Sequence, residues 1–159
     1  MRKAFINFLI EQAKLDPNLY LIVDDTGFSV VEPFAQQFGE RYINAGIAEQ
    51  NMTSVAAGLA MAGKNVYLYG IIPFMTMRCF EQIRNDLCYQ KLPVKIIGVG
   101  GGVSYGTAGS THHALEDANI MRTLPGMTVV APGSVYETTA LMPSFNTLRG
   151  PAYLKCGNI

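Results

Sequence analysis

Short, uninterrupted apolar runs separated by segments of helical length constrain the fold of this chain more than any other feature. Leu19–Val23 and residues 65–69, 93–99, 127–130 and 152–156 are brief and rich in β-branched or aromatic side chains, as in strands buried on both faces. Residues 41–44 supply a shorter strand. Helical patterns lie between them: an amphipathic segment at the N-terminus, then residues 32–38, 48–62, 74–89, 115–122 and 135–146. The 48–62 helix is expected to pack Met52, Val55, Ala56 and Leu59 and to stop at Gly63. Parallel neighbours need crossover connections, and helices supply them. The pattern therefore predicts an α/β chain with three αβα layers around a largely parallel sheet.

With 159 residues the chain can bury a core without disulfide or metal support, and one domain is expected. Apolar residues make up 49% and charged residues 15%, which is rich in apolar surface for a small monomer. Part of that surface is expected to face another chain, and self-association, as a homodimer, is predicted. Lysine plus arginine equal aspartate plus glutamate at 12 each, with no basic stripe for a phosphate backbone, so nucleic acid is not an expected partner. Cys79, Cys88 and Cys156 are odd in number and far apart, which suggests neither a disulfide framework nor a zinc cluster. A reducing cytoplasm is the expected setting. The apolar stretch after Met1, Arg2 and Lys3 is interrupted by Asn7 and followed by Glu11 and Lys14, unlike a signal peptide. No run approaches the roughly 18 apolar residues that span a bilayer.

In folds of this class ligands gather at the carboxyl ends of the strands, which draws attention to residues 24–29, 44–49 and 98–113. Glu49 opens a helix of small and apolar residues, and Met52 and Ala56 share its side, so it is expected to face the packed interior. A first-turn carboxylate commonly just complements the helix dipole. Apolar crowding would also raise its pKa and suit it to holding a proton. The glycine-rich stretch from Gly98 departs from a dinucleotide fingerprint because Val103 stands where the third glycine belongs. Its glycines either make a flexible surface loop or let the backbone approach a ligand or a neighbouring chain. His112 and His113 are adjacent and lack a spaced partner ligand, so no metal site is expected. They read either as cap or surface residues or as groups that handle protons or bind substrate. Phe74, Met75, Met77 and Phe80 read, on spacing alone, as core.

Three motifs in order carry a resemblance. Ile43-Asn44-Ala45-Gly46-Ile47-Ala48-Glu49-Gln50, Phe80-Glu81-Gln82-Ile83-Arg84-Asn85-Asp86 and Gly109-Ser110-Thr111-His112-His113-Ala114-Leu115-Glu116-Asp117 together resemble the pyrimidine-binding domain of transketolases. The likeness continues through Met121-Arg122 and residues 125–132. It implies a thiamine diphosphate enzyme that transfers a two-carbon ketol unit. The family glutamate falls on Glu49, which would hydrogen-bond the cofactor's aminopyrimidine and favour the tautomer that generates the reactive ylid. The aromatic stacking position falls on Phe74, with Ile71 and Met77 nearby. Asp24 matches the aspartate after the first strand, and His112 a histidine that contacts substrate hydroxyls.

The resemblance also implies what lies elsewhere. The family binds the cofactor's diphosphate and magnesium through a Gly-Asp-Gly…Asn signature in another domain, and this chain has no Gly-Asp-Gly. Residues 1–159 are thus expected to be one pyrimidine-binding domain, with the diphosphate-binding and C-terminal domains outside it, and the diphosphate site on a partner. Transketolases usually carry a histidine near Gly100, an aspartate near Ala108 and a phosphate-binding arginine after the last strand. None has a counterpart here, the last among Lys155, Cys156, Gly157 and Asn158, so ordinary phosphorylated ketoses are not the expected substrates. Two rivals remain within the enzyme class, deoxyxylulose-phosphate synthase and the 2-oxo acid dehydrogenase beta subunit. Outside it stands a non-catalytic assembly or regulatory domain.

Overall fold

The computed structural model describes residues 1–157. Six strands form one sheet, β1 (Leu19–Val23), β2 (Tyr42–Asn44), β3 (Asn65–Ile71), β4 (Lys95–Val99), β5 (Thr128–Val130) and β6 (Ala152–Cys156). Their spatial order is β2-β1-β3-β4-β6-β5, and every adjacent pair is parallel. The helices are α1 (Arg2–Leu15), α2 (Glu32–Gln37), α3 (Glu49–Met61), α4 (Phe80–Gln82), α5 (Asp117–Arg122) and α6 (Val135–Asn146). The predicted three-layer α/β fold is the observed one, with a sheet that is parallel throughout.

The strands are buried on both faces, and their two-residue period divides the core. Leu19, Leu21, Val23, Tyr67, Tyr69, Ile97, Val99 and Leu154 meet α1, α2 and α6 on one side. Ile22, Val66, Leu68, Ile96 and Tyr153 meet α3, α5 and the segment after β3 on the other. Lys95 begins β4 almost without solvent contact, and its ammonium donates to Pro93 O at 3.0 Å and Leu148 O at 2.6 Å. Burial lowers its pKa to about 8.

Two expectations need correction. Val55 is 40% exposed, whereas Thr53 and Ala57 are buried with Met52 and Ala56. The buried stripe of α3 therefore runs through 49, 52, 53, 56 and 57, a helical stripe turned slightly away from Val55. The segment predicted as one helix over 74–89 is helical for nearly that length but broken in kind. Phe74–Arg78 and Ile83–Cys88 are π-helical turns flanking α4. Wide turns of this sort are rare, and they re-aim side chains. No helix among the described residues is long and apolar enough to cross a membrane.

Candidate functional site

The sheet order creates the site. The connection leaving β1 runs to β2 on one side and the connection leaving β3 runs to β4 on the other, so the carboxyl ends of β1 and β3 form a topological switch point, the place where folds of this class leave a crevice. Asp24 follows β1, Glu49 follows β2 at the start of α3, and Phe74 follows β3. The long loop after β4 returns His112 to the same rim. Four residues, the first and last 88 positions apart (24 and 112), thus come from four successive strand ends.

Glu49 is 2% exposed. Its side chain does face the packed side, but the surroundings are not wholly apolar: Arg78 Nη1 donates to Glu49 Oε1 at 2.7 Å. The Arg78 guanidinium carbon also lies 4.1 Å from the centre of the Phe74 ring, a cation–π contact. Gln50 Nε2 donates to Arg78 O at 3.1 Å, which ties α3 to the π-helical turn, and Thr53 Oγ1 donates to Glu49 O at 2.9 Å. His112 meets the Phe74 ring edge-on, with centroids 5.0 Å apart and planes at 76°, and Tyr105 meets His112 at 5.7 Å. Phe74 is therefore no ordinary core residue. It is half-buried, with an arginine against its face and a histidine beside it. Arg78 is absent from the sequence-derived residues. Its spacing of four from Phe74, on one helical face, was the available signal.

Asp24 is buried directly behind the rim. Thr26 Oγ1 donates to its Oδ1, while Oδ2 has no hydrogen-bond partner among the described residues. Burial raises its pKa to about 6, and the neighbouring charge of Glu49 pushes in the same direction. Gly70 leaves the space for it, since a Cβ there would lie 2.3 Å from Asp24 Oδ2. Ile71 ends β3 half-buried and presents its backbone to Asp24. Met77 is half-buried within the π-helical turn. Neither side chain makes a ring or polar contact with Glu49, Arg78, Phe74 or His112 among the described residues.

The loop after β4 explains one departure from the usual pattern. Gly100 has φ +83°, and a Cβ there would fall 2.0 Å from Tyr105 Cε2. The Tyr105 ring already fills the space a side chain at position 100 would need. The loop is closed by paired hydrogen bonds between Gly102 and Ala114, at 2.8 and 2.9 Å. The two histidines separate in role: His112 turns to Phe74, and His113 Nε2 lies 3.0 Å from Gly106 O and braces the loop. Asp117 is fully buried and accepts from Tyr153 Oη at 2.6 Å and Lys155 Nζ at 2.7 Å, a network that pattern reading missed. Asn158 lies outside the described residues.

A carboxyl group, an aromatic face and a histidine ring are the partners a flat, nitrogen-bearing heterocycle requires, and likeness to known proteins points the same way. The family model for the transketolase pyrimidine-binding domain matches residues 1–155. One subunit of the apulose-4-phosphate transketolase from Phocaeicola vulgatus is 38% identical over 157 residues, covering 98% of this chain and 50% of the relative. A 6-deoxy-6-sulfo-D-fructose transketolase subunit from Clostridium sp. strain MSTE9 is 35% identical over 156 residues, covering 98% and 48%. Among solved structures, a split gene transketolase described as an inactive beta4 tetramer superposes with a TM-score of 0.86 at 37% identity, covering 98% of this chain and 50% of that one. The chain thus spans about half the length of these relatives. By motif order, by sheet and by sequence, it belongs to the transketolase pyrimidine-binding domain family.

Proposed function

We propose that this chain supplies the pyrimidine half of a thiamine diphosphate site in a transketolase-type enzyme, with the diphosphate and magnesium held by a partner subunit or domain. When bound, thiamine diphosphate supplies a nucleophilic carbon that carries a two-carbon ketol unit from a ketose donor to an aldose acceptor. The residues of this chain would bind and orient it. Glu49 would exchange a proton with a ring nitrogen, Phe74 would stack on the ring, and Asp24 would hold a proton close behind. Ile71 and Met77 would border the ring, and His112 would meet the substrate hydroxyls. The glutamate's burial suits the task, because a carboxyl group shielded from water keeps its proton exchange directed at one partner.

One observation carries this reading: Glu49 and Phe74 together hold a planar, N–H-bearing guanidinium. A protonated aminopyrimidine has the same flatness and offers the same kind of donor, so the two residues fit the group. The relatives are named for different ketoses, apulose-4-phosphate and 6-deoxy-6-sulfo-D-fructose. Without a histidine at Gly100 or an aspartate at Ala108, the donor here is read as a ketose other than the ordinary sugar phosphates. The chain is also read as pairing with itself, in a reducing cytoplasm that keeps its three buried thiols free.

Reconstitution tests the proposal. The chain is mixed with a subunit that carries the Gly-Asp-Gly…Asn signature, thiamine diphosphate and magnesium, and ketol transfer is followed. Glu49→Gln is expected to lower the rate by about two to four orders of magnitude without loss of fold. Equal rates for parent and variant would remove Glu49 from its role. A reconstituted complex with no transfer at all would favour the assembly-domain reading.

A further inference from the structure

The same contacts that recommend Glu49 and Phe74 as a ring-binding pair also show that both are already engaged. Arg78 takes Glu49 Oε1 at 2.7 Å and lies over Phe74 at 4.1 Å. Its backbone is fixed independently, by the hydrogen bond from Gln50 Nε2 and by its place in the π-helical turn. Its side chain is 44% exposed, so it can leave without opening the core. Phe74 also meets His112 in a T-shaped contact, and the face under Arg78 is the one beside the Glu49 carboxylate, where stacking and a contact with Glu49 can be made together.

We infer that Arg78 is an internal latch, an intramolecular mimic of the aminopyrimidine that competes with it for the Glu49 carboxylate and the Phe74 ring. The inference rests on the proposed function and adds a control to it. A bound ring needs the surfaces the guanidinium covers, so Arg78 must swing outward each time a ring enters. Outside the crevice it is a free cation beside the cofactor. The groups facing Glu49 decide how readily it swings. Asp24 lies close enough for its charge to be felt, and Cys79 packs nearby. Among the described residues, only Arg78 brings a positive charge to the carboxylate in direct contact.

The latch is testable on the full chain with thiamine as probe, since thiamine carries the aminopyrimidine without the diphosphate that a partner would hold. Binding is followed through backbone amide shifts of residues 48–52 and ring shifts of His112. Arg78→Ala is expected to bind thiamine about tenfold more tightly than the parent, the sum of one ion pair exposed on its arginine side and one cation–π contact no longer displaced. Arg78→Lys, which keeps the charge but cannot lie flat on a ring, is expected to fall between them. Equal or weaker binding by Arg78→Ala overturns the latch, as does the absence of binding by both parent and Arg78→Ala. Glu49→Gln separates the two ideas. If it abolishes binding in the parent and the Arg78→Ala background while Arg78→Ala alone changes nothing, the latch fails and the ring site stands. If Arg78→Ala tightens binding and Glu49→Gln has no effect in either background, the ring site as assigned fails.

Discussion

Two carboxylates stand past neighbouring strands, Asp24 directly after β1 and Glu49 at the start of α3, and their environments differ. Glu49 has a cation against it, whereas Asp24 has one side-chain donor, the Thr26 hydroxyl, and no cation in contact among the described residues. The raised pKa of Asp24 makes it a stability reporter. Its folded value of about 6 exceeds the ordinary 3.8, so between those values the folded chain holds a proton that the unfolded chain has released. That contribution is fully present below about pH 4 and is lost as pH rises through about 6. Asp24→Asn is expected to stabilise the chain at pH 7 by roughly 2 kcal/mol, with the gain shrinking toward zero at pH 4. Urea unfolding at the two pH values checks this, and a gain independent of pH would show that the carboxyl proton is not the cause. The sequence located both acids but not their neighbours, because Arg78 lies 29 residues from Glu49 in the chain.

Among the elements, the π-helical turn and the loop after β4 do what regular helices and strands cannot. The π-helical turn at Phe74–Arg78 places both residues against one surface, with Arg78 reaching Glu49. The loop packs Tyr105 where Gly100 lacks a side chain. Gly100 and Gly102 separate two costs that a substitution there would combine. Both have positive φ, +83° and +65°, but a Cβ meets Tyr105 at Gly100 and open space at Gly102. Gly102→Ala is expected to cost roughly 1 kcal/mol from backbone strain alone. Gly100→Ala is expected to cost roughly 2 to 4 kcal/mol in urea unfolding and to shift the His112 ring resonances, because Tyr105 must move. Equal costs for the two would mean that the Tyr105 ring yields freely. Pattern reading recognised this loop as glycine-rich and could not say which glycine made room for what.

At the scale of the molecule, the carboxyl-end rim is apolar as well as chemical. Phe28, Ile47, Val103 and Leu115 are exposed on the connections that follow β1, β2 and β4, the same connections that carry the site. Four large apolar side chains at one end of a chain with zero net charge favour association over dispersal. The chain alone is expected to sediment as a dimer or larger at tens of micromolar. Replacing Phe28 and Ile47 with aspartate is expected to shift it toward monomer, and a parent that is monomeric throughout would show that this end does not pair with itself.

The sequence by itself determined the layers and the parallel sheet, because continuous β-branched runs separated by helical spacing admit few other arrangements. It also determined which loops hold polar chemistry, since strand ends are where such folds leave backbone and side chains free. Tertiary structure alone decided that Val55 faces outward, that the helical segment after β3 opens into π turns, that Tyr105 fills the place of a side chain at Gly100, and that Arg78 clasps Glu49 and Phe74. Each of these depends on how groups from different elements or turns come together in space, and the clasp on Glu49 joins residues 29 apart in the chain. Periodicity reports only which way a residue leans from its own element, and the fold decides what it meets there.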